Sequence, residues 1–271
     1  MAEKFDAEGF LSERLQKIGK LKPLIHHITN YVVMNETANV TLCLGASPVM
    51  AHAVEEVEEM ASQAGALVIN MGTPYPDLEK AMLAAGKAAN VAGVPVVFDP
   101  VGAGATSYRT RIAKQLLDEV RFAAIRGNAA EMAALAGVEA EIRGVDSLGI
   151  KGEAADIAVS LAQSLGCVAA ITGEVDVVSD GILTFRIRNG HPLLGKVTGT
   201  GCMATTTVAV LLACGDPYLE ATAAALALFG LAGEKAAGMS GRMPGSFHVE
   251  LYNALYLLSM ERKFKGIRVE A

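Results

Sequence analysis

Short apolar segments alternate with helix-forming segments along most of this chain, and this order limits the fold more than any other feature. Four of the apolar segments are 66–70, 94–98, 122–125 and 167–171. Between them, helical patterns such as residues 77–91 place apolar side chains on one face. Such alternation is typical of a parallel sheet with helices on both faces. We therefore predict a single three-layer α/β/α domain over residues 1–271, with a mainly parallel central sheet.

The last third of the chain departs from this alternation. Two apolar runs flank Asp180-Gly181, a pair typical of a tight β-hairpin turn, so we predict an antiparallel hairpin at the edge of the sheet. We expect the last strand to end near Arg188 and three helices to follow, with Asp216 capping the second. The apolar region 204–232 is interrupted by a Gly-Asp-Pro turn, and each half is shorter than the roughly 20 residues of a membrane helix. It is predicted to form two buried helices.

Composition argues against several classes of partner and site. The net charge is −6 with no basic run, so nucleic acid is not an expected partner. The charged first 22 residues lack the apolar core of a signal peptide, and no membrane association is expected. The cysteines contain no Cys-x-x-Cys pair, which argues against a zinc site or disulfide framework and fits a reducing cytoplasm. They are Cys43, Cys167, Cys202 and Cys214.

Polar residues and glycines follow the predicted strands at the ends where such sheets bind ligands. They are Asn70-Met-Gly72, Asp99 with Gly102 and Gly104, Arg126-Gly-Asn128 with Glu131, and Thr172-Gly-Glu174. The planar cation of Arg126 suits phosphate oxygens, and the carboxylates of Asp99 and Glu131 suit Mg²⁺. This set favours phosphoryl transfer, in which positioning and charge neutralisation account for most of the catalysis. The Gly-x-x-x-x-Gly-Lys-Ser/Thr sequence of P-loop enzymes is not present.

The turn Gly199-Thr-Gly201 leads directly into a helical run of small and apolar residues. Glycines let the main chain approach a ligand closely, and the first N–H groups of a helix have no internal partners. Together with the helix dipole, these features predict an anion site with Cys202 at its mouth. The same residues also fit a glycine turn before a buried helix, with Cys202 as a small core residue.

Three other functions fit parts of the pattern. Residues 199–204 match the Gly-x-Gly-x-x-Ala dinucleotide fingerprint, but that motif needs a strand directly before the turn, and here the last strand ends earlier. Cys202 could also be a nucleophile whose pKa is lowered by the start of a helix. It would then need a histidine base, and the residues around the histidines do not identify one. His26 and His27 point to opposite faces of a strand, so they cannot share one metal ion. A non-catalytic binding module is the third alternative, which an ATP-turnover assay distinguishes from an enzyme.

Six motifs resemble those of hydroxyethylthiazole kinases, a family of the ribokinase-like superfamily, in the same order and over most of the chain. They are Pro23-Leu-Ile-His-His-Ile-Thr-Asn-Tyr-Val-Val-Met-Asn35, Gly45-Ala-Ser-Pro-Val-Met50, Ile69-Asn-Met-Gly-Thr73, Phe98-Asp-Pro-Val-Gly-Ala-Gly104, Arg126-Gly-Asn-Ala-Ala-Glu131 and Val197-Thr-Gly-Thr-Gly-Cys202. The resemblance implies a ribokinase-like fold and phosphorylation of the alcohol of 4-methyl-5-(2-hydroxyethyl)thiazole by ATP and Mg²⁺, in the salvage route to thiamine. It also implies a homotrimer with sites between neighbouring subunits.

The resemblance further implies roles for individual residues. The predicted substrate contacts are Met50, Gly199, Asn30, Asn70 and Gly72. The predicted nucleotide contacts are Arg126, Thr172 and Asn128, and the predicted Mg²⁺ ligands are Asp99 and Glu131. The predicted catalytic residues are Cys202, Gly199 and Gly201. Sugar kinases of the superfamily place an aspartate base where this chain, like the thiazole kinases, has Cys202, so the identity of the proton acceptor stays open.

Overall fold

The computed structural model describes residues 5–137 and 151–271, with side chains from residue 154 onward in the second range. The strands are β1 (Leu24–Ile28), β2 (Ser47–Val49), β3 (Ala66–Asn70), β4 (Val96–Asp99), β5 (Ala124–Asn128), β6 (Val168–Thr172), β7 (Asp176–Ser179), β8 (Thr184–Ile187) and β9 (Val269–Glu270). Within the described residues they form one sheet in the order β2-β1-β3-β4-β5-β6-β7-β8-β9. Neighbours from β2 to β6 are parallel, and the pairs from β6 to β9 are antiparallel.

Helices cover both faces of this sheet. They are α1 (Ala7–Leu21), α2 (Met34–Cys43), α3 (Val57–Gln63), α4 (Pro76–Ala92), α5 (Ser107–Glu119), α6 (Ala129–Leu135), α7 (Lys151–Leu165), α8 (Thr200–Leu212), α9 (Tyr218–Met239) and α10 (Pro244–Glu261). Helices α3 to α7 contribute to one apolar core, and α1, α2 and α8 to α10 contribute to the other. The predicted three-layer α/β/α fold with an antiparallel edge is confirmed. One domain over residues 1–271 stays a prediction, and residues 1–4 and 138–150 lie outside the described residues.

The central strands are apolar on both faces because both faces are covered. In β3, Leu67 and Ile69 face the core shared with α3 to α7, whereas Ala66 and Val68 face the opposite core. All of β3 is buried. A parallel sheet between two helical layers needs such an uninterrupted apolar run, since neither face meets water. The carboxyl ends of these strands are therefore the places where polar side chains gather.

Helix α8 and its successor α9 form the buried pair predicted from the apolar region. The buried guanidinium of Arg14, on α1, fixes the turn between them: its two terminal nitrogens donate to the carbonyl oxygens of Gly215 and Asp216, each at 2.6 Å. These bonds give two carbonyl groups of the turn between α8 and α9 a charged donor. In the part of the chain that the structure describes, every helix falls short of the length and apolar character that a membrane crossing requires.

Three features near the carboxyl terminus differ from the sequence predictions. The N-cap of α9 is Pro217 without a side-chain hydrogen bond, so the predicted cap at Asp216 is wrong. A short 3-10 helix, Pro192–Lys196, precedes α8. The sheet does not end near Arg188, because the two-residue strand β9 adds to β8 with Ile187 opposite Val269. A strand of two residues is too short to show a periodic pattern.

Two adjacent buried histidines on β1 bond to different elements. The Nε2 of His26 lies 2.8 Å from the carbonyl oxygen of Ala51, and the Nε2 of His27 lies 3.1 Å from the Oγ1 of Thr41. Thr41 donates its own hydroxyl proton to the carbonyl oxygen of Thr37, so His27 donates from Nε2. The Nδ1 atoms of both rings are buried without a partner among the described residues. Both histidines are therefore core residues, and each is neutral.

Burial, followed by the neighbouring charges of His26 and His52, lowers the pKa of His27 to about 3. Because the unfolded chain binds this proton from about pH 6.5 downward, stability is present above that pH and is lost toward pH 3. His27→Gln should therefore lose less unfolding free energy between pH 6.5 and 4 than the parent, by up to about 1.4 kcal/mol per pH unit. Urea denaturation at several pH values measures this, with His248→Gln on α10 as the control. Parallel pH curves for parent and His27→Gln would contradict it.

Candidate active site

The carboxyl ends of the four adjacent parallel strands β3 to β6 lie side by side, and α8 begins next to Asn70 and Arg126. Asn70 and Asp99 are direct register partners at the ends of β3 and β4. Asn128 and Thr172 are register partners at the ends of β5 and β6. Parallel neighbours all end at the same edge of a sheet, so side chains far apart in sequence come together there. The structure thus places the predicted strand-end residues on one rim.

A chain of buried hydrogen bonds joins three of these strand ends. The Nδ2 of Asn30 donates to the Oδ1 of Asn70 at 2.8 Å, and the Nδ2 of Asn70 donates to the Oδ2 of Asp99 at 2.7 Å. The same Nδ2 lies 3.2 Å from the Sγ of Cys202. Thr205, one turn further along α8, donates its hydroxyl to the Oδ2 of Asp99 at 2.9 Å. The first four residues were predicted as site residues, whereas Thr205 lies inside an apolar helical run and was not predicted.

The carboxyl group of Asp99 is almost fully buried. Burial raises its pKa to about 6, and the charge of Glu131 acts in the same direction. The charge of Arg126 and the hydrogen bonds from Thr205 and Asn70 oppose this rise. Burial disfavours the charged form of a carboxyl group. The hydrogen bonds from Thr205 and Asn70 and the charge of Arg126 favour the charged form, so they limit the rise in the pKa of Asp99.

Burial, followed by the charge of Asp99, raises the pKa of the Cys202 thiol to about 12. The hydrogen bond from Asn70 only partly opposes these effects. The idea that the start of α8 lowers this pKa is therefore wrong, because burial outweighs the helix dipole. All five histidines lie within the described residues, and none forms a hydrogen bond with Cys202. A cysteine nucleophile with a histidine base is not formed here.

The glycine turn before α8 is closely packed. Gly199 is the N-cap of α8, with φ of 83° and no side-chain cap. A Cβ added there would lie 2.7 Å from the Cγ1 of Val33, and one added at Gly201 would lie 2.8 Å from an Nη1 of Arg126. The guanidinium of Arg126 therefore lies beside the first turn of α8, in space that a side chain at position 201 would fill. The 3-10 helix, not a strand, precedes this turn, so the dinucleotide fingerprint is not formed.

Arg126 extends the positive side of the site. Its Nη2 donates to the Oγ1 of Thr172 at 2.5 Å, and its Nε has no partner among the described residues. Asp176, which sequence analysis missed, lies close enough for the charge of Arg126 to influence it. Burial raises the pKa of Asp176 to about 6, against a hydrogen bond from the Gly173 N–H and the charge of Arg126. The position of Asp176, four residues after Thr172 and at the start of β7, was the sequence signal that could have identified it as a site residue.

Glu131 and Asn128 form a capping box at the start of α6. The Oδ1 of Asn128 accepts from the Glu131 N–H, and the Oε2 of Glu131 accepts from the Asn128 N–H, both at 2.9 Å. The Oε1 of Glu131 also accepts from the Gly102 N–H at 2.9 Å. Glu131 therefore holds the glycine loop after β4 against the start of α6.

Met50 and Gly72 lie in the loops that follow β2 and β3. Met50 follows β2, and the loop after it is held to β1 by the bond from His26 to Ala51. A second bond runs from the Thr29 N–H to the Nε2 of His52 at 3.0 Å. Gly72 donates its N–H to the Oδ1 of Asn70 at 3.0 Å. The half-buried Met50 thus stands on a loop that two imidazole rings fix to β1 and to Thr29, which follows β1.

The carboxylates suit a cation that is shared with phosphate. Within residues 5–137 and 154–271, no group of three His, Cys, Asp or Glu side chains is arranged to hold a metal ion. Mg²⁺ in nucleotide enzymes is held by one or two carboxylates together with phosphate oxygens and water. Asp99 fits such a site because its buried carboxyl lies within electrostatic reach of both Glu131 and Arg126. The arrangement places the guanidinium of Arg126 beside the first turn of α8, where both could contact the same anionic group.

Comparison with known proteins agrees with this geometry. The sequence model of the "Hydroxyethylthiazole kinase family" matches residues 15–261. A hydroxyethylthiazole kinase of Methanocella arvoryzae is 48% identical over 259 residues, 96% of this chain and 97% of the relative. The structure of the hydroxyethylthiazole kinase from Pyrococcus horikoshii OT3 superposes with a TM-score of 0.89 at 45% identity, covering 97% of this chain and 98% of the other. An ADP complex of Bacillus subtilis pyridoxal kinase, 17% identical with a TM-score of 0.60, covers 78% of this chain and 91% of its own and shares the fold.

Gly199→Ala should lower the unfolding free energy, because alanine at a positive φ costs about 1–2 kcal/mol and its Cβ would displace Val33. Gly195→Ala is the matched control, since a Cβ there meets no atom within 4 Å. Chemical denaturation of both variants and the parent measures the difference. An equal stability of the two variants would show that the turn before α8 tolerates a side chain.

Proposed function

This chain belongs to the hydroxyethylthiazole kinase family, and we propose that its strand-end rim is the site where ATP phosphorylates the hydroxyl of 4-methyl-5-(2-hydroxyethyl)thiazole, in the salvage route to thiamine. The observation that carries the function is the family match over residues 15–261. The geometry supports it, since positive groups and free helix N–H groups lie next to a buried polar cluster. Phosphoryl transfer depends mainly on such positioning and charge neutralisation.

The nucleotide lies on the side of the rim that carries positive charge. Arg126 and Thr172, already joined by a hydrogen bond, contact the phosphates, and Asn128 at the start of α6 borders the same side. The N–H groups around Gly199 and Gly201 receive the charge that develops on the transferred phosphoryl group. When bound, Mg²⁺ supplies charge neutralisation between phosphate oxygens, and Asp99 and Glu131 are the residues that would hold it, directly or through water.

The thiazole lies on the opposite side, beside β1 and β2. Met50 gives this side an apolar, adaptable surface that suits an aromatic ring. Asn30, Asn70 and Gly72 form its polar boundary, and their mutual hydrogen bonds leave little freedom to reorient. Gly199 closes the pocket without a side chain, so the alcohol approaches the start of α8 directly.

Cys202 lies where the hydroxyl proton would leave, but its thiol is neutral at physiological pH. Because burial raises the pKa of Cys202 to about 12, the thiol is a poor proton acceptor. The rate is therefore carried mainly by alignment of the alcohol with the phosphate and by the anion site at α8.

We further propose that the enzyme works as a cytoplasmic homotrimer with its sites between neighbouring subunits. Exposed apolar side chains on α2 and α10 support an interface between copies; they are Leu42, Val249, Tyr256, Leu257 and Met260. The four cysteines are free, which suits a reducing compartment.

The purified protein should release ADP with Mg²⁺ and the hydroxyethylthiazole, and far less with ribose, because the Met50 side of the pocket favours an aromatic alcohol. A coupled ADP assay over thiazole, pyrimidine and sugar alcohols measures this, with EDTA as the metal control. Equal turnover of sugars, or none of the thiazole, would refute the proposed function.

Cys202→Ala and Cys202→Ser should lose less than about 10²-fold in kcat, the lower end of what a well-placed general base contributes. Cys202→Asp should keep or raise kcat, because it returns a carboxylate to the reach of the hydroxyl. The measurement is kcat at saturating thiazole and ATP, with Cys43→Ala on α2 as the control and thermal melts to verify folding. A loss of about 10³-fold or more in folded Cys202→Ala, with Cys202→Asp equally inactive, would assign the thiol an essential role.

A further inference from the structure

Arg109, on α5, reaches the two loops that follow β3 and β4. Its Nη1 donates to the carbonyl oxygens of Met71 at 3.0 Å and Val101 at 2.8 Å, and its Nη2 donates to that of Gly72 at 2.7 Å. Met71 and Gly72 follow β3, whereas Val101 follows β4. One planar guanidinium therefore ties two separate loops together through three hydrogen bonds.

This contact begins where the sheet ends. Asn70 and Asp99 are the last register partners of β3 and β4. Beyond them, a backbone bond of 3.3 Å from the Met71 N–H to the carbonyl oxygen of Asp99 is the final one between the two loops in the described residues. Past that point the two loops are connected by the side chain of Arg109 instead of by backbone hydrogen bonds. The Arg109 side chain therefore sets the distance between them.

The β3 side of this contact controls the amide of Asn70. Gly72 donates its N–H to the Oδ1 of Asn70, and Arg109 holds the carbonyl oxygen of the same Gly72. The fit is close, since a Cβ added at Gly72 would lie 2.5 Å from the Nδ2 of Asn30. With its Oδ1 fixed by Gly72, the amide turns its Nδ2 toward Asp99 and Cys202. A shift of Gly72 would therefore pass directly to the buried hydrogen bonds.

On the β4 side, two side chains hold the loop that follows Asp99. Arg109 holds the carbonyl oxygen of Val101, and Glu131 accepts the N–H of the next residue, Gly102. A Cβ added at Gly102 would lie 3.1 Å from the Cδ of Arg109. The loop that follows Asp99 thus has a basic side chain on one side and an acidic one on the other, and it has little room to move.

We propose that Arg109 is a positioning residue for phosphoryl transfer, which keeps Asn70 and Asp99 aligned beyond the end of the sheet without contacting substrate. The proposal rests on the proposed function, since it takes Asn70 and Asp99 to be part of the phosphoryl-transfer site. The role needs a planar donor with two nitrogens in a fixed fork. Lysine keeps the charge but offers one compact ammonium group, so it cannot reproduce all three bonds.

The test compares Arg109→Ala and Arg109→Lys with Arg111→Ala. Arg111 lies two positions further along α5, is exposed, and pairs with Glu79 on α4, so it matches the helix and the charge but not the contact. Arg109→Ala should lower kcat by about 10- to 100-fold, as small displacements of reacting groups do. Its KM for the thiazole should rise by a smaller factor than kcat falls, because Met50, which faces the ring, stands on a loop that His26 and His52 hold separately. Arg109→Lys should be intermediate, and Arg111→Ala should equal the parent.

A double variant separates positioning from loss of stability. If Arg109 acts through Asn70, then Asn70→Ala combined with Arg109→Ala should have a kcat close to that of Asn70→Ala alone. Multiplied losses, or a parental kcat in folded Arg109→Ala, would overturn the proposal. Should Arg109→Ala fail to fold, Arg109→Lys decides, since a folded lysine variant with parental kcat also overturns it. A parent without thiazole turnover would instead refute the proposed function.

Discussion

The hydrogen bond from the Nδ2 of Asn70 to the Oδ2 of Asp99 is the interaction on which the site depends. It joins the ends of two adjacent parallel strands, and it helps an almost fully buried carboxyl group to stay ionisable. Asn30, Cys202 and Thr205 all attach to this pair. Because a buried polar group is costly without partners, each member of this cluster stabilises the position of the others.

The opposite side of the rim is organised by positive charge. Arg126 lies within electrostatic reach of Asp99 and Asp176, and its guanidinium packs beside Gly201 in the first turn of α8. The negative charges of Asp99 and Asp176 stabilise the guanidinium at the rim, and its remaining N–H groups can donate hydrogen bonds to an anion. The site thus combines a rigid acidic half with a basic half, and in the proposed reaction phosphate binds at the boundary between them.

Much of this was predictable from sequence because it depends on local patterns. The alternation of strands and helices predicted the three layers, and glycines after strands predicted the rim. Long-range packing explains what was missed. Thr205 lies in an apolar helix and acquires its role only because α8 lies across β4. The pKa of Cys202 followed from burial, which sequence position at a helix start does not reveal. The sequence around Arg109 and around β9 does not predict their roles, because both depend on contacts with residues that are distant in the chain.

The contact of Arg14 with the turn after α8 limits how early the chain can complete its fold during synthesis. The residues it joins are 197 to 202 positions apart, so α1 leaves the ribosome long before its partners exist. Helices α8 and α9 are also translated late, and they fill the core on one face of the sheet. Until they arrive, only α1 and α2 are available to cover that face, and a growing chain exposes apolar strands to other molecules. Completion of the fold therefore waits for the last third of the chain, and the nascent polypeptide needs protection during that interval.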